Sequence, residues 1–321
     1  MNELDFVGFL RRDFPFSRGF GIGDDASAVP FGDGFQLITK DVLVEGVHFS
    51  LDYFSMEELA LKSLAVNVSD IAAMGGEPQY FYIGLGFPTG LGEAALRDFY
   101  KGLASGCRQW GVELAGGDYS SAPQLFISIT LVGFATQPVF RNGAKPGDLI
   151  GITGPTGESA LGLYLLGKQI DDPYFRERHI VAEPEVEQGR LLAGVASALM
   201  DVSDGIVLDL KRILEASGVG GKIVGEAIPV GNRMREVCGR HGLDPLELAL
   251  TGGEDYVLLF TIPPDRETEL RASFANRDLE LHMIGEVTAQ QGLTVLHNGK
   301  PLTLKQNGYD HLTGGGDPYR G

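Results

Sequence analysis

The stretch NVSDIAAMGG, Asn67 to Gly76, sets a carboxylate inside a run that otherwise reads as a buried helix. Leu61, Leu64, Ala65, Val68 and Ala72 fall at helical spacing, and Ser55 with Glu58 makes the capping box that starts the helix. Asn67 and Asp70 are three apart and share a face. A carboxylate there must be ion-paired, hydrogen-bonded or bound to metal, because desolvating it alone costs too much. A neighbouring helix terminus would satisfy it equally. The pattern returns in DVSDGIVLDL, Asp201 to Leu210, where Asp201, Ser203 and Asp204 precede Gly205 and a second apolar stripe expected to be helical. An ordinary helix N-cap looks the same.

On either side of the first helix the chain alternates in strand fashion. FQLITKD (Phe35 to Asp41), QYFYIGLGF and LFISITLVGFA read as strands, and Leu96, Phe99, Leu103, Cys107 and Trp110 mark another helix closed by Gly111. The first half thus reads strand, strand, helix, strand, helix, strand, strand. QPVFRNGAKPGD (Gln137 to Asp148), rich in Pro and Gly, reads as a linker. DLIGITG is then a strand and PTGESALGLYLLG a helix, and VLLFTI, HMIGEV and LTVLHNG are closing strands before a polar tail.

At 321 residues the expectation is two domains. They are taken as 1–137 and 148–313, with 138–147 as linker and 314–321 as a disordered tail. The balance of 43 acidic against 26 basic residues, a formal charge of −17, argues against nucleic acid or an anionic membrane as partner and suits a protein that gathers divalent cations. Two distant cysteines, Cys107 and Cys238, make neither a disulfide framework nor a zinc set, which points to a reducing cytosol. Neither a signal segment nor an apolar run of membrane-spanning length is evident.

Glycines cluster beside acids in GFGIGDD, AGGDYS and TGGEDY, as ligand loops do. Asp24 and Asp25 on a glycine-flexed turn suit a hard cation, although an acidic surface turn reads the same. Asp41 ends a strand, Asp118 follows Gly116 and Gly117, and Glu254 and Asp255 follow Gly252 and Gly253. His48 lies among apolar neighbours, where a lone histidine is more often a structural residue than a catalyst. Arg141, in the linker, is a candidate for a nucleotide phosphate. GITGPTGES has the glycines of a Walker A loop without its lysine, and the protein-kinase, serine-elbow and HExxH signatures are missing. What remains is a set of acids on glycine turns, which suits several divalent ions holding a polyphosphate.

Taken in order, GIGDDAS, TKDVLVEGVHF, NVSDIAAMGGEP, AGGDYS, RNGAKPGDLIGITGPTGESALGL, DVSDGIVLDL, TGGEDYVLLF and NGYDHL resemble the thiamine-monophosphate kinases, within the superfamily of aminoimidazole-ribonucleotide synthetase, selenophosphate synthetase and the hydrogenase-maturation ATPases. The resemblance runs from Gly21 to Leu312. It implies an α/β (α+β) two-domain fold in which the N-terminal domain builds a β-barrel across a homodimer and the C-terminal α/β domain packs beside it. It further implies ATP as co-substrate, several Mg²⁺ ions, and transfer to thiamine monophosphate in the cytoplasm. Metal ligands would be Asp25, Asp41, Asp70, Asp118, Asp201 and Asp204, with Thr39 and Lys40 adjoining. ATP would meet Gly117, Asp118, Arg141 and Ser203, and the acceptor His48, Glu254 and Tyr309. The family usually has T-T-D or S-T-D where this chain has Thr39-Lys40-Asp41, and G-G-D-T where it has Gly116-Gly117-Asp118-Tyr119. An aminoimidazole-ribonucleotide synthetase-like enzyme and a non-catalytic nucleotide or divalent-ion binding relative are the alternatives.

Overall fold

The computed structural model describes residues 3–305; Tyr309 and the tail 314–321 lie outside them. In the first half, β1 (Ser27–Phe31), β2 (Gly34–Val44), β3 (Glu77–Phe87), β4 (Glu113–Ser121) and β5 (Phe126–Ala135) form one sheet in the order β1-β2-β5-β3-β4. All neighbours are antiparallel except β3 and β4. Three helices accompany it, α1 (Glu3–Asp13), α2 (Met56–Ala72) and α3 (Gly92–Trp110). The strand and helix order expected from the sequence holds, with α1 in addition.

The capping box opens α2 as read: Ser55 accepts from the Glu58 N–H, and Glu58 accepts from the Ser55 N–H at 2.9 Å. Leu59, Leu64, Val68 and Ile71 of α2 pack on Leu37, Phe81, Ile83, Ile129 and Leu131 of the sheet, all at most 3% exposed. Burial of so many large side chains on one face holds the helix to the sheet. Gly111 closes α3 in the left-handed conformation, φ 66°. The other face of the sheet carries Val42, Tyr82 and Phe126, all exposed.

The second half is a seven-stranded mixed sheet of β6 (Leu149–Ile152), β7 (Ala198–Asp201), β8 (Gly220–Val224), β9 (Leu258–Ile262), β10 (His282–Thr288), β11 (Gly292–His297) and β12 (Lys300–Pro301), ordered β12-β11-β8-β10-β6-β9-β7. Its helices are α4 (Glu158–Gly167), α5 (Pro173–Ile180), α6 (Val186–Leu192), α7 (Ile206–Ser217), α8 (Asn232–His241), α9 (Pro245–Thr251) and α10 (Glu267–Ala275). Ile180, Ala182 and Tyr256 from this half complete the first core, and α6 lies directly against α2. A Cβ at Gly189 would stand 2.2 Å from the Ala72 carbonyl oxygen, so only glycine permits that approach.

Two sequence expectations need correction. DVSDGIVLDL is not one helix: Asp201 ends β7, its backbone paired with Leu258 of β9, and α7 begins only at Ile206. Gly205, at φ 109°, makes the turn between them, a conformation that favours glycine. Helices α5, α6, α8, α9 and α10 were not anticipated, because most are short and weakly periodic. For α5 and α9 the local signals were Asp172-Pro173 and Asp244-Pro245, an N-cap acid followed by proline at the first helical position. No helix among the described residues is long and apolar enough to cross a membrane.

Candidate active site

Helix α2 brings Asp70 under the inner face of β2, where strand alternation also directs Thr39 and Asp41. The Thr39 hydroxyl donates to the Asp70 carboxylate. Asn67, one turn earlier, accepts the Asp41 N–H at 3.3 Å and donates to the Ser63 carbonyl at 3.0 Å, fixing helix to strand. Asp201 arrives from the other sheet, and the Ser69 hydroxyl donates to it at 2.6 Å. Asp25 follows the glycine turn and is paired to Arg141 at 2.5 Å, while the Arg141 N–H donates to Asp24 at 2.7 Å.

Carboxylate oxygens of Asp25, Asp70 and Asp201 lie within 4.8 Å of one another. They stand in a cleft of about 830 Å³ that also holds Thr39, Lys40, Asp41, Arg141, Ser203 and Asp204. Crowding of acids in a desolvated place resists ionisation. Burial first, then Asp41, Asp201 and Asp25, hold Asp70 well above the ordinary carboxylate range. Burial and Asp25 do the same to Asp201. Asp41 is raised to about 6 by burial and Asp25, although Asp70 hydrogen-bonds to it, and Asp24 is raised to about 6 chiefly by burial. Oxygen-only donors gathered this closely suit a hard divalent cation.

The turn 202–205 is also defined by a residue that sequence reading passed over. Asp209 accepts from the N–H groups of Ser203, Asp204 and Gly205, each at 3.1 Å, and pairs with Arg212 at 2.6 Å. The donors at this helix start are therefore already used. Arg212 also pairs with Asp204 at 2.7 Å, which sets Asp204 in the cleft but outside the trio. The D-x-x-R spacing on α7 was the available signal.

Residues 23–135 match the family of AIR synthase related protein, N-terminal domain, and residues 145–298 the family of AIR synthase related protein, C-terminal domain. Thiamine-monophosphate kinase of Aquifex aeolicus is 36% identical over 91% of this chain and 92% of its own. That of Escherichia coli K12 is 36% identical over 91% of each. A solved structure, AaThiL complexed with AMPPCP and TMP, superposes with a TM-score of 0.87 at 33% identity, covering 97% of both chains. The chain belongs to the thiamine-monophosphate kinase family.

Within this member of the thiamine-monophosphate kinase family, several expected site residues lie apart from the cluster. Asp41, Ile129, Ile83 and Gly117 form one row across the sheet, so Gly117 and its neighbour Asp118 stand three strand spacings from Asp41, about 14 Å. Both are exposed on the edge strand β4. Lys40, at the position where the family carries a hydroxyl, turns its side chain to the opposite face of β2 and donates to Ser128 at 2.8 Å and Thr130 at 3.2 Å. Only its backbone adjoins the acids. His48 follows β2 and accepts the Val44 N–H at 3.0 Å. Glu254 pairs with Lys62 of α2 at 3.0 Å.

The loop GITGPTGES owes its form to Asp255. This carboxylate accepts from the N–H groups of Gly157 at 2.6 Å and Ser159 at 3.1 Å, occupying the start of α4 where a phosphate-binding loop would hold its ligand.

Proposed function

We propose that this protein transfers the γ-phosphoryl group of ATP directly to the phosphate of thiamine monophosphate, giving thiamine diphosphate. The observation that carries this is the meeting of Asp25, Asp70 and Asp201, from three separate segments, in one cleft. The kinase relatives that match nearly the whole chain support the choice of acceptor.

The acceptor is a phosphate monoester, largely dianionic near neutral pH because its second pKa is about 6, and it needs no general base. The obstacle is repulsion between two polyanions. Asp25, Asp41, Asp70 and Asp201 would hold Mg²⁺, which when bound offsets that charge and orients both phosphates. Thr39 and Ser69 set the orientation of two of these carboxylates through their hydroxyls. Arg141 and Arg212 stay cationic beside the cleft. Burial opposes the charge of Arg141, yet Asp25 outweighs it and raises its pKa. His48 and Glu254 would meet the acceptor's organic end.

We further place the active unit in a homodimer whose two N-terminal sheets close into a barrel. Support comes from the uncovered sheet face with Val42, Tyr82 and Phe126 exposed, and from Tyr119, 63% exposed on the edge strand. Asp118, too far from the cluster of its own chain, would then serve the partner's site. Free thiols at Cys107 and Cys238 suit the cytosol.

Incubation with ATP, Mg²⁺ and thiamine monophosphate, followed by chromatography of the thiamine phosphates, tests the reaction. Diphosphate forming one-for-one with ADP is the expected result. Folded, ATP-binding protein that never forms it would overturn the assignment.

A further inference from the structure

Lys62 is 2% exposed, and a buried ammonium is costly unless it is paired. It lies eight residues before Asp70 on α2, on the same face and about 12 Å away along the axis. Its ammonium donates to the His179 carbonyl at 2.6 Å and to Glu254 Oε2 at 3.0 Å, and stands 5.6 Å from the centre of the Phe54 ring. These contacts join the helix that carries Asp70 to two segments of the other half.

Glu254 is constrained from its own side. It adopts φ 64°, a left-handed conformation that a residue with a side chain takes only when its surroundings impose it. Its N–H donates to the Ser203 carbonyl at 2.8 Å, so it is tied to the segment that continues from Asp201. His179 Nδ1 stands 3.5 Å from the same oxygen that Lys62 holds. Asp70 and Lys62 thus share one helix, Glu254 is hydrogen-bonded to Ser203, two residues after Asp201, and the Lys62–Glu254 pair closes the frame between them.

We propose that Lys62 is a positioning residue for the acceptor, acting through Glu254. Resting on the function proposed above, it holds the Glu254 carboxylate at a set distance from the acid cluster. The cationic thiazolium end of thiamine monophosphate is then engaged while its phosphate lies near Asp70. Lys62 and Asp70 stand about two helical turns apart along α2, a separation that suits a phosphate ester carrying a ring and not free phosphate.

The test compares Lys62→Met, Glu254→Gln and the double variant in steady-state assays. Lys62→Met is expected to raise KM for thiamine monophosphate by about tenfold or more, the size of a lost charge-assisted hydrogen bond, with KM for ATP within about twofold. The double variant should then have the acceptor KM of Glu254→Gln alone. It removes both charges together, so no unpaired buried charge threatens folding, and thermal melts check each protein. An unchanged acceptor KM in folded Lys62→Met, or losses that add in the double variant, would overturn the positioning role while leaving the reaction in place. Absence of product from the wild type would remove the acceptor assignment and this role with it.

Discussion

Ser69 of α2 donates its hydroxyl to Asp201 of β7 at 2.6 Å, while the next residue, Asp70, accepts from Thr39 of β2. Two consecutive side chains on one helix thereby touch both sheets. The acids of the two halves converge because a single helix is the surface against which both are packed, and the acid cluster cannot form until that packing has.

Asp70 stands at the centre of the cluster, so its charge should matter to turnover more than to folding. Asp70→Asn is expected to lower kcat by about 100-fold or more, as loss of a preorganised electrostatic group does. Far-ultraviolet circular dichroism should be unchanged. Full turnover in this variant at limiting Mg²⁺ would make Asp70 a structural residue only.

Stability without metal should fall as pH rises. Asp24 and Asp41 are raised from an ordinary 3.8 to about 6. Folding therefore favours their protonated forms, and the stability this contributes is complete below the ordinary value and lost as pH climbs through about 6. Asp70 and Asp201, raised further, carry the loss higher. Metal-free protein should thus melt at least about 3 °C lower at about pH 8 than at about pH 5.5, a shift worth about 2 kcal/mol in a chain this size. Mg²⁺ should restore it at the higher pH, and Asp70→Asn should weaken the dependence. Calorimetry in a chelator, showing equal pH slopes in both proteins, would count against the cluster as the cause.

If Asp118 serves the partner's cluster, two inactive variants should repair each other. A mixed dimer of Asp70→Asn and Asp118→Asn keeps one intact site and one doubly damaged site. Unfolding and refolding an equal mixture makes about half the dimers mixed, so about one quarter of wild-type activity should return. Mixtures no more active than their components would place Asp118 with its own chain's site or outside catalysis.

Asp255 should prove a folding residue. Burial outweighs its two N–H donors and raises its pKa to about 7. Asp255→Ala would strand the N–H groups of Gly157 and Ser159 at the start of α4. A loss of about 1–3 kcal/mol is expected from denaturant unfolding. A midpoint equal to wild type would mean that those donors find another partner.

Much of the local structure was readable from short-range chemistry. The Ser55–Glu58 box, the apolar stripe of α2 and the Gly111 stop of α3 are set by neighbours within a few residues, and each appears where the pattern places it. The eight ordered motifs also carried the family, and with it the expectation that acids on glycine turns gather. Asp25, Asp41, Asp70 and Asp201 do so, with Thr39 beside them.

What each acid touches depended on contacts between segments far apart in the chain. Asp201 reads as part of a helix until β9 pairs with its backbone, because strand pairing is a long-range bond that overrides local periodicity. That Asp204 pairs with Arg212 could not be read from spacing, nor that the alternation of β2 turns the Lys40 side chain away from the acids. Lys62 looks like a surface lysine on a helix, since its partners Glu254 and His179 come from more than a hundred residues downstream. Spacing along a chain settles which residues share a face. Only packing settles what that face meets, because charge and burial act through space and not through sequence.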